Sequence, residues 1–149
     1  MTGTSDAESL DRLFSQICRL KHARVHTQYE SLGLYRGQPR VLHALWDQEG
    51  LTHTDLSRLL QVQPATITKM LQRMEKAGFV ERRHDLEDRR VSRVYLTAAG
   101  RAVREDVQKV WRGLEEEAFA GFTEEEGMLL RQFFSRIRDN LTEATEGSQ

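Results

Sequence analysis

The stretch THTDLSRLLQVQPATITKMLQRMEKAGFVERRHDLEDRRVSRVYL, residues 52–96, reads as two short helices, a tight break between them and a β-hairpin. Thr52 stands three positions before Asp55, the spacing of a capping box with Asp in place of the usual Glu or Gln, and Leu56, Leu59 and Leu60 follow as the expected buried face. The break at Gln61-Val62-Gln63 leads to Pro64, which suits a first helical turn because its missing N–H is not needed there. The second helix then runs to Ala77, with Gly78 as its stop. Ile67, Met70, Leu71 and Met74 recur on its inner side, which leaves Ala65, Thr66, Thr68, Lys69, Gln72, Arg73 and Lys76 for solvent. After Gly78 the period changes to two. Phe79–Arg83 and Val91–Leu96 read as strands, Val94 and Leu96 alternating with Arg93 and Tyr95, joined by the charged loop His84–Arg90.

Outward from this centre the pattern is helical. Residues 6–31 carry Leu10, Leu13, Phe14, Ile17, Leu20 and Val25 at helical spacing, and Gln38-Pro39 opens a helix with Val41, Leu42, Leu45 and Trp46 that Gly50 stops. Thr97 begins a helix toward Trp111 and about Phe119. Thr123 and Glu126 form a capping box for a last helix bearing Met128, Leu130, Phe133, Phe134, Ile137 and Leu141, with fraying expected from Glu143. The fold class is therefore mainly α with a small β-hairpin wing: a winged helix-turn-helix flanked by N- and C-terminal helices, one domain over 1–149. The two flanking helices carry more apolar face than a domain of this size can cover, and 38 % hydrophobic residues is lean for a self-contained core, so burial against a second copy is expected.

Charge is segregated. Residues 1–37 carry 5 basic and 4 acidic side chains, residues 38–96 carry 10 and 8, and residues 97–149 carry 7 and 11, so an overall charge of −1 conceals a basic centre and an acidic C-terminal third. In a helix-turn-helix the second helix enters the major groove of DNA. Here that face offers Thr66 and Thr68 to bases, thymine methyls or phosphates, Lys69 and Arg73 to phosphates or guanine, and Gln72 to adenine. The loop would be a wing whose arginine enters a narrow minor groove, with Asp88, two positions before Arg90, holding its guanidinium by a charge-assisted hydrogen bond. The competing reading of the same fold is a winged-helix module for protein contact; the cations of the reading helix and the Asp88 and Arg90 pair argue against it.

Residues 32–100 resemble the multiple antibiotic resistance regulator (MarR) family in three places: the opening Leu32-Gly33-Leu34 with Gln38 four positions on, the helix PATITKMLQRMEKAGFV, and Asp88-x-Arg90 ahead of Val94-x-Leu96-Thr97. The resemblance implies a two-fold homodimer built by helices 6–31 and 98–142, a winged region over 32–97, and a regulator, commonly a repressor, on a pseudo-palindromic operator in double-stranded DNA. Carried onto this sequence, it implies Asp88 as the arginine-orienting acid, Arg90 as the minor-groove reader and Arg89 as a variable position that touches phosphate. It also implies control by a small aromatic or phenolic effector, an oxidant or a metal; the ligand site of relatives, between the dimerisation helices and the winged region, makes Tyr29, His43 and Trp46 the candidate lining, against the plainer reading of aromatic residues at helical spacing as core packing.

Other chemistry is thinly represented. Cys18, His22 and His26 fall at i, i+4 and i+8 on one flank of the first helix, the raw material of a metal or redox-responsive site, but no further ligand completes a set and no metal or cofactor is expected. Cys18 borders the apolar stripe and reads as a buried structural cysteine, and a single cysteine fits a reducing compartment. No nucleophile motif, Gly-rich phosphate loop or acid/base pair points to an enzyme. The polar, acidic N-terminus and the lack of a long apolar run suggest a cytoplasmic protein without a membrane segment.

Overall fold

The Ser9 hydroxyl accepts the Arg12 N–H at 3.1 Å and starts the first helix, α1 (Leu10–Ser31), of a computed structural model that describes residues 9–147. Residues 6–8 of the expected helix lie outside the described residues. There follow α2 (Gln38–Asp47), β1 (Leu51–Thr52), α3 (His53–Leu60), α4 (Pro64–Lys76), β2 (Val80–His84), β3 (Ser92–Leu96), α5 (Ala98–Ala118) and α6 (Glu124–Glu146). The architecture is the mainly α winged helix-turn-helix expected from the period changes. Its antiparallel sheet has the order β1-β3-β2, with Leu51 opposite Val94 and Val80 opposite Leu96.

The chain forms two compact units, one through Leu114 and one from Glu115. The core belongs to the first. Leu34, Val41, Leu42, Leu56, Ile67, Leu71, Met74, Val94 and Val107 are fully buried there, so α2, α3, α4, the sheet and α5 share one apolar centre. Gly100 lets α5 approach the hairpin closely: a Cβ at this position would stand 2.1 Å from the Phe79 carbonyl oxygen. The same neck is tied by Thr97, whose N–H donates to Phe79 O at 3.1 Å and whose hydroxyl donates to Gly78 O. Trp46 Nε1 donates to Gly100 O at 2.9 Å, which joins α2 to the first turn of α5.

In the second unit α6 begins with the expected capping box, the Thr123 hydroxyl accepting from Glu126 N and the Glu126 carboxylate accepting from Thr123 N. It buries none of its residues. Phe133, Phe134 and Ile137 are 49, 43 and 41 % exposed, and on α1 Leu13, Phe14 and Ile17 stand at 43, 41 and 49 %.

Three expectations are corrected and one strand is added. Cys18 is exposed rather than buried, because the apolar stripe of α1 beside it is itself uncovered over its first three turns. Leu59 is 61 % exposed: on a helix of 8 residues Leu56 and Leu60, one turn apart, take the core, and Leu59 falls on the outer flank. The last helix runs past its expected boundary at 142, since α6 continues to Glu146. The strand β1, two residues long, was not foreseen; it exists by pairing with Val94 and Arg93.

Candidate nucleic-acid interface

The turn between α3 and α4 is fixed from several sides. The Thr52 hydroxyl accepts Asp55 N at 3.1 Å and the Asp55 carboxylate accepts Thr52 N at 2.9 Å, the reciprocal cap read from the sequence, and these bonds hold the Asp55 pKa below its usual value. Gln61 closes α3 in the left-handed region at φ 53°, a conformation costly for a residue with a Cβ. Ser57 locks it, donating through its hydroxyl to Val62 O at 2.6 Å and accepting Val62 N on its carbonyl at 3.1 Å.

With Ile67, Leu71 and Met74 buried, α4 turns Ala65, Thr66, Lys69, Gln72 and Arg73 to solvent together. Thr68 differs from them. It is half-buried, its hydroxyl donates to Pro64 O at 3.0 Å and lies 3.4 Å from His53 Nδ1, so this group is turned back on its own helix. The far side of the same imidazole, Nε2, is buried without a partner. Burial and the Arg82 charge hold the His53 pKa below its ordinary value, against a smaller upward pull from Glu75. Glu75 takes two hydrogen bonds from Arg82, from Nε at 2.9 Å and Nη2 at 3.3 Å, and so fastens the end of α4 to β2.

The wing loop, 85–91, is built on carboxylates. Asp88 Oδ1 accepts Arg90 N at 3.1 Å and Nε at 3.0 Å while Oδ2 accepts Nη2 at 3.2 Å, so the Arg90 side chain is 91 % exposed yet tethered at two points. These bonds depress the Asp88 pKa. Arg89 beside it is exposed. Sequence reasoning gave Asp85 and Arg93 no role, but Arg93 Nε donates to Asp85 Oδ2 at 2.7 Å and Arg93 Nη1 donates to Gly50 O at 2.9 Å. On β2, Arg83 pairs with Glu81 and stacks its guanidinium 4.5 Å from the centre of the Tyr95 ring.

Of the candidate effector residues, His43 and Trp46 pack edge to face with centroids 4.9 Å apart, and the Arg104 guanidinium lies 5.9 Å from the Trp46 ring. Tyr29 is buried and set edge-on to Trp111 at 6.4 Å, an aromatic that sequence reasoning treated only as part of a helix, and Lys21 lies over the Trp111 ring at 5.1 Å. The Tyr29 hydroxyl is buried, and burial pushes its pKa up against a smaller downward pull from the Trp111 side chain. An open groove of about 740 Å³ lies elsewhere, between the end of α2, β1 and α3, lined by Ala44, Leu51, Arg58 and Leu59 among others. His26 pairs with Glu30 at 3.1 Å, and among the described residues no group of three His, Cys, Asp or Glu could hold a metal ion. No helix among them is long and apolar enough to cross a membrane.

The MarR family model matches residues 34–92. The transcriptional regulator HosA of Escherichia coli is 32 % identical over 110 residues, covering 74 % of this chain and 82 % of its own length. The HTH-type transcriptional regulator TtmR of Methylorubrum extorquens is 36 % identical over 110 residues, which is 69 % of this chain but only 55 % of that longer protein. Among solved structures, the reduced form of MarR from E. coli superposes with a TM-score of 0.75 at 25 % identity, covering 87 % of this chain and 96 % of the other.

Proposed function

The chain belongs to the MarR family of transcriptional regulators with a DNA-binding winged helix, and from that premise we propose that it is a ligand-responsive repressor that binds a pseudo-palindromic operator as a homodimer. The observation that carries this reading is the conjunction of an exposed polar and cationic face on α4 with an Arg90 held outward by Asp88. Ala65, Thr66, Lys69, Gln72 and Arg73 meet the major groove, with Thr68 contributing its methyl while its hydroxyl stays on Pro64; Arg90 enters the flanking minor groove, and Arg89 meets phosphate. Long cations on both readers give affinity through counterion release, so binding falls steeply with salt.

Two copies follow from the uncovered apolar faces. A helix of 23 residues that buries nothing gains its stability from packing, and α6, like the first half of α1, presents aromatic and aliphatic side chains to solvent. The effector reading rests on Tyr29: a buried hydroxyl whose polar neighbour is the Trp111 indole suits a small aromatic or phenolic compound that takes up its remaining hydrogen-bonding capacity, with His43 and Trp46 as further lining. Selection of duplexes from a random pool by the full chain tests the core of the proposal. An inverted repeat bound by two chains, as measured by analytical ultracentrifugation, is the expected result. Enrichment of asymmetric sites bound by one chain, or no enrichment at all, removes it.

A further inference from the structure

Asp85 ties the wing loop to itself and to β3 through four hydrogen bonds. Its N–H donates to Val91 O at 2.8 Å and closes the base of the loop. One carboxylate oxygen accepts the N–H groups of Glu87 at 2.8 Å and Asp88 at 3.2 Å, and the other accepts Arg93 Nε at 2.7 Å. Two consecutive N–H groups on one oxygen fix the backbone through 86–88, and with it the direction in which the Asp88 side chain leaves the chain. Arg93 carries the tie onward to Gly50 O, and Gly50 N donates to Val94 O at 2.9 Å, so the anchor lies in the turn that enters β1.

We infer that Asp85 and Arg93 are a positioning pair which fixes the wing on the Gly50 turn so that Asp88 presents Arg90 to the minor groove. The inference rests on the proposed role of Arg90 and adds the residues that aim it. The sign of its effect separates it from the ordinary behaviour of an acid near DNA. A carboxylate that merely sits in the wing repels phosphate, and its removal strengthens binding. A carboxylate that aims Arg90 weakens binding when removed, although a negative charge has been taken away from a polyanion. Arg93, likewise, is a cation committed to Asp85 and Gly50, so its loss weakens binding through the wing and not through a phosphate contact of its own.

The experiment is a double-mutant cycle on the full chain, with fluorescence anisotropy at fixed salt against the duplex that the wild-type chain selects from a random pool. Arg90→Ala is expected to weaken binding by about fivefold to 150-fold. Asp85→Ala and Arg93→Met weaken it by no more than that, Asp85→Asn weakens it less than Asp85→Ala because an amide oxygen still accepts the two N–H groups, and none of them weakens it further once Arg90 is alanine. Circular dichroism melting keeps the comparison to folded proteins; where Asp85→Ala melts early, Asp85→Asn and Arg93→Met carry the cycle. Tighter binding by Asp85→Ala, or an equal loss in both backgrounds, overturns the positioning role while Arg90 keeps its own. A neutral Arg90→Ala overturns the minor-groove reading, and the positioning role falls with it.

Discussion

Replacing Gly100 by alanine sets helix propensity against packing, and the structure says which wins. Alanine is favoured over glycine in a helix by about 1 kcal/mol, so a reading of propensity alone makes Gly100→Ala stabilising. The new Cβ, however, would lie 2.1 Å from Phe79 O and 3.1 Å from Leu96 Cδ2. Ordinary contact begins near about 3.4 Å, so α5 must retreat by about 1 Å. Phe79 O cannot rotate aside, since it is a backbone atom in the hairpin neck that already accepts Thr97 N. The retreat strains the Trp46 bond to Gly100 O as well. Overpacking of about 1–3 kcal/mol and about 1 kcal/mol for the weakened bond outweigh the propensity gain and leave a net loss of about 1–3 kcal/mol. In a chain of this size that lowers the melting temperature by about 2 to 12 °C. Gly113 lies on the same helix with nothing within 4 Å of its added Cβ, and Gly113→Ala is expected to raise stability by up to about 1 kcal/mol. Thermal melts of both variants and the parent at one protein concentration are sufficient. If Gly100→Ala melts at or above the parent, the close approach of α5 to the hairpin is wrong.

Arg90→Ala costs about 1–3 kcal/mol of operator affinity with the oligomeric state unchanged, read by anisotropy and ultracentrifugation; equal affinity at matched salt sinks the wing assignment. Lys69→Ala weakens binding alike across duplex variants and flattens the salt dependence by about one unit of slope if it meets phosphate; a loss confined to one base pair would reassign it to base readout. Stability should fall as the pH drops below about 6.5, the value for a free imidazole. There the unfolded chain takes up a proton that His53, its pKa lowered by burial and Arg82, does not yet accept, so the unfolded state binds more protons and is favoured. Urea titrations between pH 7.5 and 5.5, ranges chosen to stay clear of the carboxylates at about 4, should show this slope reduced in His53→Gln; an undiminished slope assigns it to other groups.

What the sequence announced and what it hid divide by distance along the chain. Thr52 with Asp55, Thr123 with Glu126 and Asp88 with Arg90 are pairs within three residues, and each has the geometry its spacing implies, as does the helix start at Pro64. The alternation of Val94 and Leu96 with Arg93 and Tyr95 likewise gave β3 its buried face. Arg93 meets Asp85 from 8 residues away and Gly50 from 43, and no local pattern encodes such a meeting. The two-residue β1 was hidden for the same reason. Cys18 was misjudged because an apolar stripe signals that a face will be covered without saying by what, and α1 in a single chain leaves that part of its stripe open. His53 goes unread in the sequence because what surrounds it, Thr68 of α4 and the Arg82 charge of β2, arrives only with the fold.

The turn at residues 48–50 meets the hairpin through more than Arg93. Glu49 accepts Leu96 N at 2.8 Å and Arg101 Nη2 at 2.9 Å, and Gly50 both donates to Val94 and accepts from Arg93. Gripped at its root in this way, the hairpin is a lever. Five residues of strand extend about 17 Å from Leu96 toward the tip, so a tilt of about 5° at the root swings the tip by about 1.5 Å. That travel is half the length of a hydrogen bond, enough to seat or unseat a guanidinium in a groove only about 6 Å wide.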